Sequence, residues 1–256
     1  MSNAQLVPES VYEKVDLIKM ETLRVKHSWI TDPIYRASDL VLEMPFFDWV
    51  NGLRSAMDFK PAATQLYFHS ATFPKVMGLM LGNTPFSENL MMTFYAKHAF
   101  GEADHHQLLM DWMLKNKLLN DPKEIGDVIP TPETNACVNL AYQLAIEQDR
   151  AKWLVTINSG IERCSNDFFK RVAPKMHQLG VGDIYFDVHV EADEHHSIMG
   201  LEFIKEEDPQ SPRGQQLIAK ALEGVGLWAA MMHSWLGMDI FPRFNLDGSL
   251  KGSIKY

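Results

Sequence analysis

Cysteine is scarce in this chain, with only Cys137 and Cys164 among 256 residues. Two cysteines cannot build a disulfide framework, and their spacing fits no zinc-finger pattern, so a reducing compartment, the cytoplasm, is expected. Basic charge is also short. Lys and Arg number 24 against 33 Asp and Glu, a formal net charge of −9, which argues against a nucleic acid or an anionic membrane as partner. No apolar run approaches the ~18 residues of a spanning helix. The opening MSNAQLVPES has neither the basic nor the apolar part of a secretory leader. Glycine-rich phosphate loops, a G-x-S-x-G elbow and a dinucleotide fingerprint are missing too, which removes the commonest nucleotide and acyl-transfer chemistries. Period-two alternation bounded by hairpin turns is also absent, so a β fold is excluded.

What remains is helical periodicity, and it predicts a single all-α domain over residues 1–256. Its first ~10 residues and residues 241–256 read as irregular. Seven helices are expected, at 10–30, 45–58, 62–81, 86–118, 132–178, 184–206 and 212–236, the fifth broken near 149–160, where Asn158-Ser159-Gly160 interrupts it. Thr131-Pro132 and Ser211-Pro212 each read as an N-cap followed by proline at the first helical position, where its missing N–H costs nothing. Such a bundle builds its sites from side chains on facing helices.

The segment DVHVEADEHHS, residues 187–197, spaces His189, Asp193 and His196 at i, i+4 and i+7. On a helix these fall within an arc of about 60°, and imidazoles with a carboxylate suit a borderline transition metal. Glu191, Glu194 and His195 point elsewhere. A second cluster, FYAKHAFGEADHHQLLMDW at 94–112, puts Glu102 on one face with His98, His105 and His106. Either His105 or His106 can partner Glu102. The i, i+3 spacing favours His105, the Glu-x-x-His element of di-iron carboxylate bundles. Two divalent ions need more carboxylate than Glu102 and Asp193 supply, and Glu162 in NSGIERCSNDFF is the candidate, with Glu147 as competitor.

The order Glu…His, Glu, His-x-x-x-Asp-x-x-His resembles the haem-oxygenase-like di-iron oxidases and oxygenases. The residues carrying the likeness are Glu102, His105, Glu162, His189, Asp193 and His196, together with the phrases YFHSATFPKVMG (67–78) and YFDVHVEADEHHSIMG (185–200). The resemblance implies a seven-helix haem-oxygenase-like bundle that binds two ferrous ions per chain, uses O2 as co-substrate and draws on an external reductant. It further implies oxidation of a small carboxylate-bearing metabolite, an amino acid or fatty acid derivative, and a homodimer is common for such bundles. This chain departs from the pattern in having no Glu over 59–87, with His69 and His98 near places where some members carry a glutamate.

Rival chemistries rest on other residues. His27 would be the axial ligand of a haem oxygenase, and Cys164 the nucleophile of a thiaminase-like member. A cofactor-free oxidase of the quinone-forming type would use His105 and His189 as acid–base groups, and a non-catalytic metal-binding protein would enclose its ion in a closed shell. Arg150, Lys152 and Arg163 are the cations available to a substrate carboxylate.

Overall fold

The computed structural model describes residues 17–252, and among them the chain is a helical bundle whose single extended pairing is the isolated bridge Phe244–Leu250. The elements are α1 (Leu17–Lys26), α2 (Ser28–Leu42), α3 (Pro45–Gly52), α4 (Lys60–Asn83), α5 (Asn89–Gly101), α6 (His105–Lys115), α7 (Pro132–Glu147), α8 (Arg150–Trp153), α9 (Arg163–Gln178), α10 (Ile184–His196) and α11 (Pro212–Ser234). A π-helical segment, Leu154–Glu162, joins α8 to α9 without a break. No helix among the described residues is long and apolar enough to cross a membrane.

Both expected caps form. Thr131 Oγ1 accepts the Thr134 N–H at 3.1 Å, and Ser211 Oγ accepts the Gly214 N–H at 2.9 Å, each satisfying a donor that the helix start leaves without an intrahelical partner. Several expected boundaries differ from the observed ones, among them 45–58, whose helix ends at Gly52 and is followed by a separate 3-10 turn at Ala56–Phe59. Residues 10–16 lie outside the described residues, and the rest of the first helix is divided at His27. Residues 31–44, for which no helix is expected, instead complete most of α2, with Pro33 inside it. Ile30, Ile34, Ala37 and Val41 recur at helical spacing and are all buried, and that burial outweighs one lost backbone hydrogen bond. The expected helix 86–118 is two helices, interrupted over 102–104, and the helix expected to reach 206 ends at His196. The long fifth helix is broken at Gln148, whose φ is 55°, just before the expected 149–160; Asn158-Ser159-Gly160 does not interrupt it but lies within the continuous π segment.

The core is assembled around α11, which is buried along its length from Leu217 to His233 and packs on the π segment, α7 and α2. Contact with the π segment is close because both sides are small: a Cβ on Gly224 would lie 2.9 Å from Thr156 Cγ2, and one on Gly160 would lie 3.2 Å from the Ala221 carbonyl oxygen. A second cluster, of Phe46, Phe59, Trp112, Phe168, Phe169 and Phe186, is fully buried. It clamps α3, α6, α9 and α10 together, each ring contributing roughly 1.5–3 kcal/mol by leaving water. These two packings fix the π segment, α9 and α10 relative to the α5–α6 junction, which is where the chemistry lies.

Candidate metal centre

Three stretches of backbone supply the polar centre. The junction of α5 and α6 carries His98, Glu102 and His105; the last π-helical residue is Glu162; and α10 carries His189, Asp193 and His196. All seven side chains are buried, none more than 5% exposed. Glu102 and Asp104 take φ, ψ of −87°, −6° and −112°, −2°, so the chain turns between α5 and α6, and His105 Nδ1 comes to 2.7 Å from Glu102 Oε2.

Donor atoms gather in two groups. His98, Glu102, Glu162 and His196 form one, and Glu102, His105 and His189 the other, each with its atoms within 4.8 Å of one another, so that each could hold a metal ion. Glu102 belongs to both. Its Oε1 lies 3.3 Å from His196 Nδ1, while Glu162 places Oε1 at 3.0 Å from His98 Nε2 and Oε2 at 3.5 Å from His196 Nδ1.

These spacings resemble hydrogen bonds, but the directions do not. His98 Nε2, Glu102 Oε1, His105 Nδ1 and Glu162 Oε1 are buried and make no hydrogen bond of acceptable geometry. A buried polar atom left in that state is costly. Ligands around a common ion behave in this way, because bonds of about 2.1 Å at right angles separate neighbouring ligand atoms by about 3 Å while each atom points at the ion. The residues therefore fit a metal. His189 is oriented to match, since its Nδ1–H donates to the Tyr185 carbonyl at 2.6 Å, which leaves Nε2 as the acceptor facing Glu102 and His105.

Electrostatics follow the same geometry. Burial drives the Glu102 carboxyl upward, but His105 and His196 more than offset it and hold it well below the usual range; Glu162 is lowered against burial by His98 and His196. Burial opposes charge on His196, yet Glu102 and Glu162 raise it well above an ordinary histidine. At His189 burial and the neighbouring His105 outweigh the raising effect of Glu102, the Tyr185 carbonyl and Glu162, and lower its pKa to about 3. Asp193 is pushed well up by burial and by the charges of Glu162 and Glu102. It joins neither donor group: its Oδ2 accepts the Ser165 hydroxyl at 2.6 Å, and its Oδ1 lies 3.8 Å from His196 Nδ1.

Other expected residues stand apart. His106 is half-buried with its ring against Tyr67, and His69 packs on Phe73 and Trp228 beside the centre without entering either group. His98, by contrast, is part of the four-donor group. Glu147 is exposed and engaged by Gln143 and Lys152. His27 is buried at the start of α2 and contributes to neither group. Burial raises both cysteine thiols to about 12, so Cys164 is no nucleophile. Arg150 pairs with Glu88, Lys152 with Glu147 and Arg163 with Asp167, and none of the three lines the cavity beside the donors. The side chains of Glu191 and Glu194 lie outside the described residues; His195 is half-buried.

Sequence reasoning missed the supporting residues. Asn158 donates to the His196 carbonyl at 3.3 Å, Asn166 to the Val190 carbonyl at 3.0 Å, and Ser165 holds Asp193. Asn158, Glu162, Ser165 and Asn166 lie at helical spacing, but Ser159, Arg163 and Asp167 interleave with them, so no apolar background marks the stripe in the sequence.

A cavity of about 20 Å³ adjoins the donors, lined by His69, Phe73, Glu102, Glu162, His189, Asp193 and Trp228 among others. The sequence profile of a family described as iron-containing redox enzymes matches residues 60–229, a span that includes every donor named above. The chain belongs to this family. Its fold is that of haem-oxygenase-like proteins. A TenA homologue from Pseudomonas syringae pv. tomato superposes with a TM-score of 0.65 at 13% identity, covering 85% of this chain and 92% of its own. A domain of unknown function with a haem oxygenase-like fold from Shewanella denitrificans gives a TM-score of 0.61 at 16% identity, covering 88% and 94%. No curated protein sequence matches the chain significantly. For a member of an iron-containing redox family, buried histidines and carboxylates are the expected equipment. In this chain one carboxylate, Glu102, is shared between the two donor groups.

Proposed function

We propose that this protein is a non-haem di-iron, O2-dependent oxidase or oxygenase acting on a small carboxylate-bearing metabolite. The observation that carries the reading is the position of Glu102, whose two oxygens face different histidines and which alone belongs to both donor groups. Bound ferrous iron would supply the electrons that activate O2. His98, Glu162 and His196 would hold one ion, His105 and His189 the other, with Glu102 between them and Asp193 nearby.

The protein's own part is positioning and exclusion of water. Phe73, Phe169, Ile161 and Trp228 wall the small cavity beside the donors, whose volume of about 20 Å³ suits a water or a diatomic molecule. That free space beside the donors favours turnover over storage in a closed shell. A cofactor-free oxidase is disfavoured because three carboxylates buried among four imidazoles would keep their desolvation cost without an ion to offset it.

Anaerobic loading with ferrous iron followed by metal analysis tests the proposal, with about two irons per chain expected from the two donor groups. On admitting O2, the loaded protein should consume it, faster in the presence of a suitable amino or fatty acid and with a reductant supplied. A chain that binds no iron under these conditions does not perform this chemistry.

A further inference from the structure

The two donor groups are unequal: one has four residues, the other three. Asp193 is the buried carboxylate of the centre that belongs to neither group, its Oδ1 lying 3.8 Å from His196 Nδ1. It sits one helical turn from His189 on α10, is fully buried, and lines the small cavity together with Glu102 and His189. Yet its Oδ2 is taken by Ser165 Oγ at 2.6 Å, the short distance of a strong O–H···O bond. Ser165 lies one turn beyond Glu162 on α9 and lines the same cavity, so free space adjoins both ends of the hydrogen bond. Asn166, the next residue, anchors the Val190 carbonyl, which keeps α9 and α10 in register at this level.

We propose that Ser165 is a latch: it stores the Asp193 carboxylate away from the Glu102–His105–His189 group, and a second ion entering that group must take Asp193 from it. The proposal rests on the two-metal reading above. Its consequence is ordered loading. The four-donor group fills first, and the three-donor group fills more weakly because its last ligand has to leave a hydrogen bond. Ser165 is thus a positioning residue that sets the gap between the two affinities. It does not itself meet substrate.

The sign of one substitution separates a latch from ordinary support. If Ser165 stayed bonded to Asp193 in the loaded protein, removing its hydroxyl would weaken the second ion; if it competes with the ion, removal strengthens it. Cobalt(II) titration of the full-length chain, followed by visible absorption and equilibrium dialysis, reads both steps without any turnover. The wild type should bind in two steps. Ser165→Ala should tighten the second by roughly tenfold, the factor set by one hydrogen bond, and leave the first unchanged. Ser165→Thr, which keeps the hydroxyl, should restore the wild-type gap. Asp193→Asn should retain the first ion and lose the second. A weakened second step in Ser165→Ala, or full second-ion binding in Asp193→Asn, overturns the latch while leaving a two-ion protein. Absence of cobalt binding by the wild type would instead overturn the metal reading, and the latch with it.

Discussion

His98 Nε2 lies 3.0 Å from Glu162 Oε1, and no hydrogen bond joins them. The pair is buried, and its members come from α5 and from the end of the π segment. Two groups of opposite polarity brought this close without being aimed at one another are aimed at a third position. His98→Ala should therefore remove the ion of the four-donor group and spare the other. Glu102→Gln should lower the occupancy of both, because Glu102 is shared. Iron per chain after anaerobic ferrous loading checks both variants. Equal loss in the two would show that the donors form one site.

The pH dependence of the metal-free chain follows from its buried histidines. Burial lowers His69 from 6.5 to about 4 and His189 to about 3. A histidine whose folded value is lowered stabilises fully above its unfolded value, and that stability is lost as pH falls from 6.5 towards the folded value. His69 alone accounts for about 3 kcal/mol over this window. His196 has the opposite sign: its folded value is raised, so its contribution is complete below pH 6.5 and lost as pH climbs through the folded value. The contributions of His69 and His189 to the metal-free melting temperature should therefore fall away below pH 6.5 and that of His196 above it, while the raised Asp193 carboxyl opposes the acid loss. His69→Phe should flatten the acid limb. An unchanged acid slope in that variant would mean that His69 is solvated.

Legibility in the sequence varied with local regularity. His189, Asp193 and His196 were readable as one buried face because α10 is an ordinary helix from Ile184 to His196, so the angle per residue is known. Glu102 and His105 were paired correctly in space, although the helix that the spacing assumed is broken between them. The i, i+3 separation survives a turn. Glu162 was hardest to read from its residues, since it closes a π-helical segment in which the periodicity departs from 3.6 and sequence spacing no longer gives direction. Ser165 escaped notice for a different reason: serine on a helix is commonplace, and only the short contact to Asp193 distinguishes it. Residues 31–44 show the opposite difference: the proline inside α2, Pro33, costs about 3 kcal/mol, and the buried face of that helix outweighs it.

Neither cysteine should react. Cys137 and Cys164 are both buried with thiols raised to about 12, and Cys164 Sγ rests 3.6 Å from Ser38 Oγ. Ellman's reagent should titrate no thiol in the native chain and two after denaturation, and Cys164→Ala should bind iron as the wild type does. Rapid native labelling of Cys164 would reopen nucleophilic catalysis for this fold.

The π segment is held to α11 by the absence of side chains, and this gives a test of how packing reaches the centre. A Cβ on Gly224 would lie 2.9 Å from Thr156 Cγ2 and 3.2 Å from the Thr156 carbonyl oxygen. Gly224→Val should force α11 and the π segment apart at a cost of about 1–3 kcal/mol. For a chain of this size that corresponds to a fall in melting temperature of roughly 2–12 °C. Because Glu162 ends the same segment, the displacement should also reduce the ion bound with His98 and His196. Gly226→Ala is the control. Its Cβ would press on the Pro242 carbonyl at 2.7 Å, at the C-terminal tail instead of the π segment, so it should lower stability while leaving iron occupancy intact. If both variants lost iron in proportion to their loss of stability, the centre would be reporting global unfolding, and the close packing at Gly224 would have no special hold on Glu162.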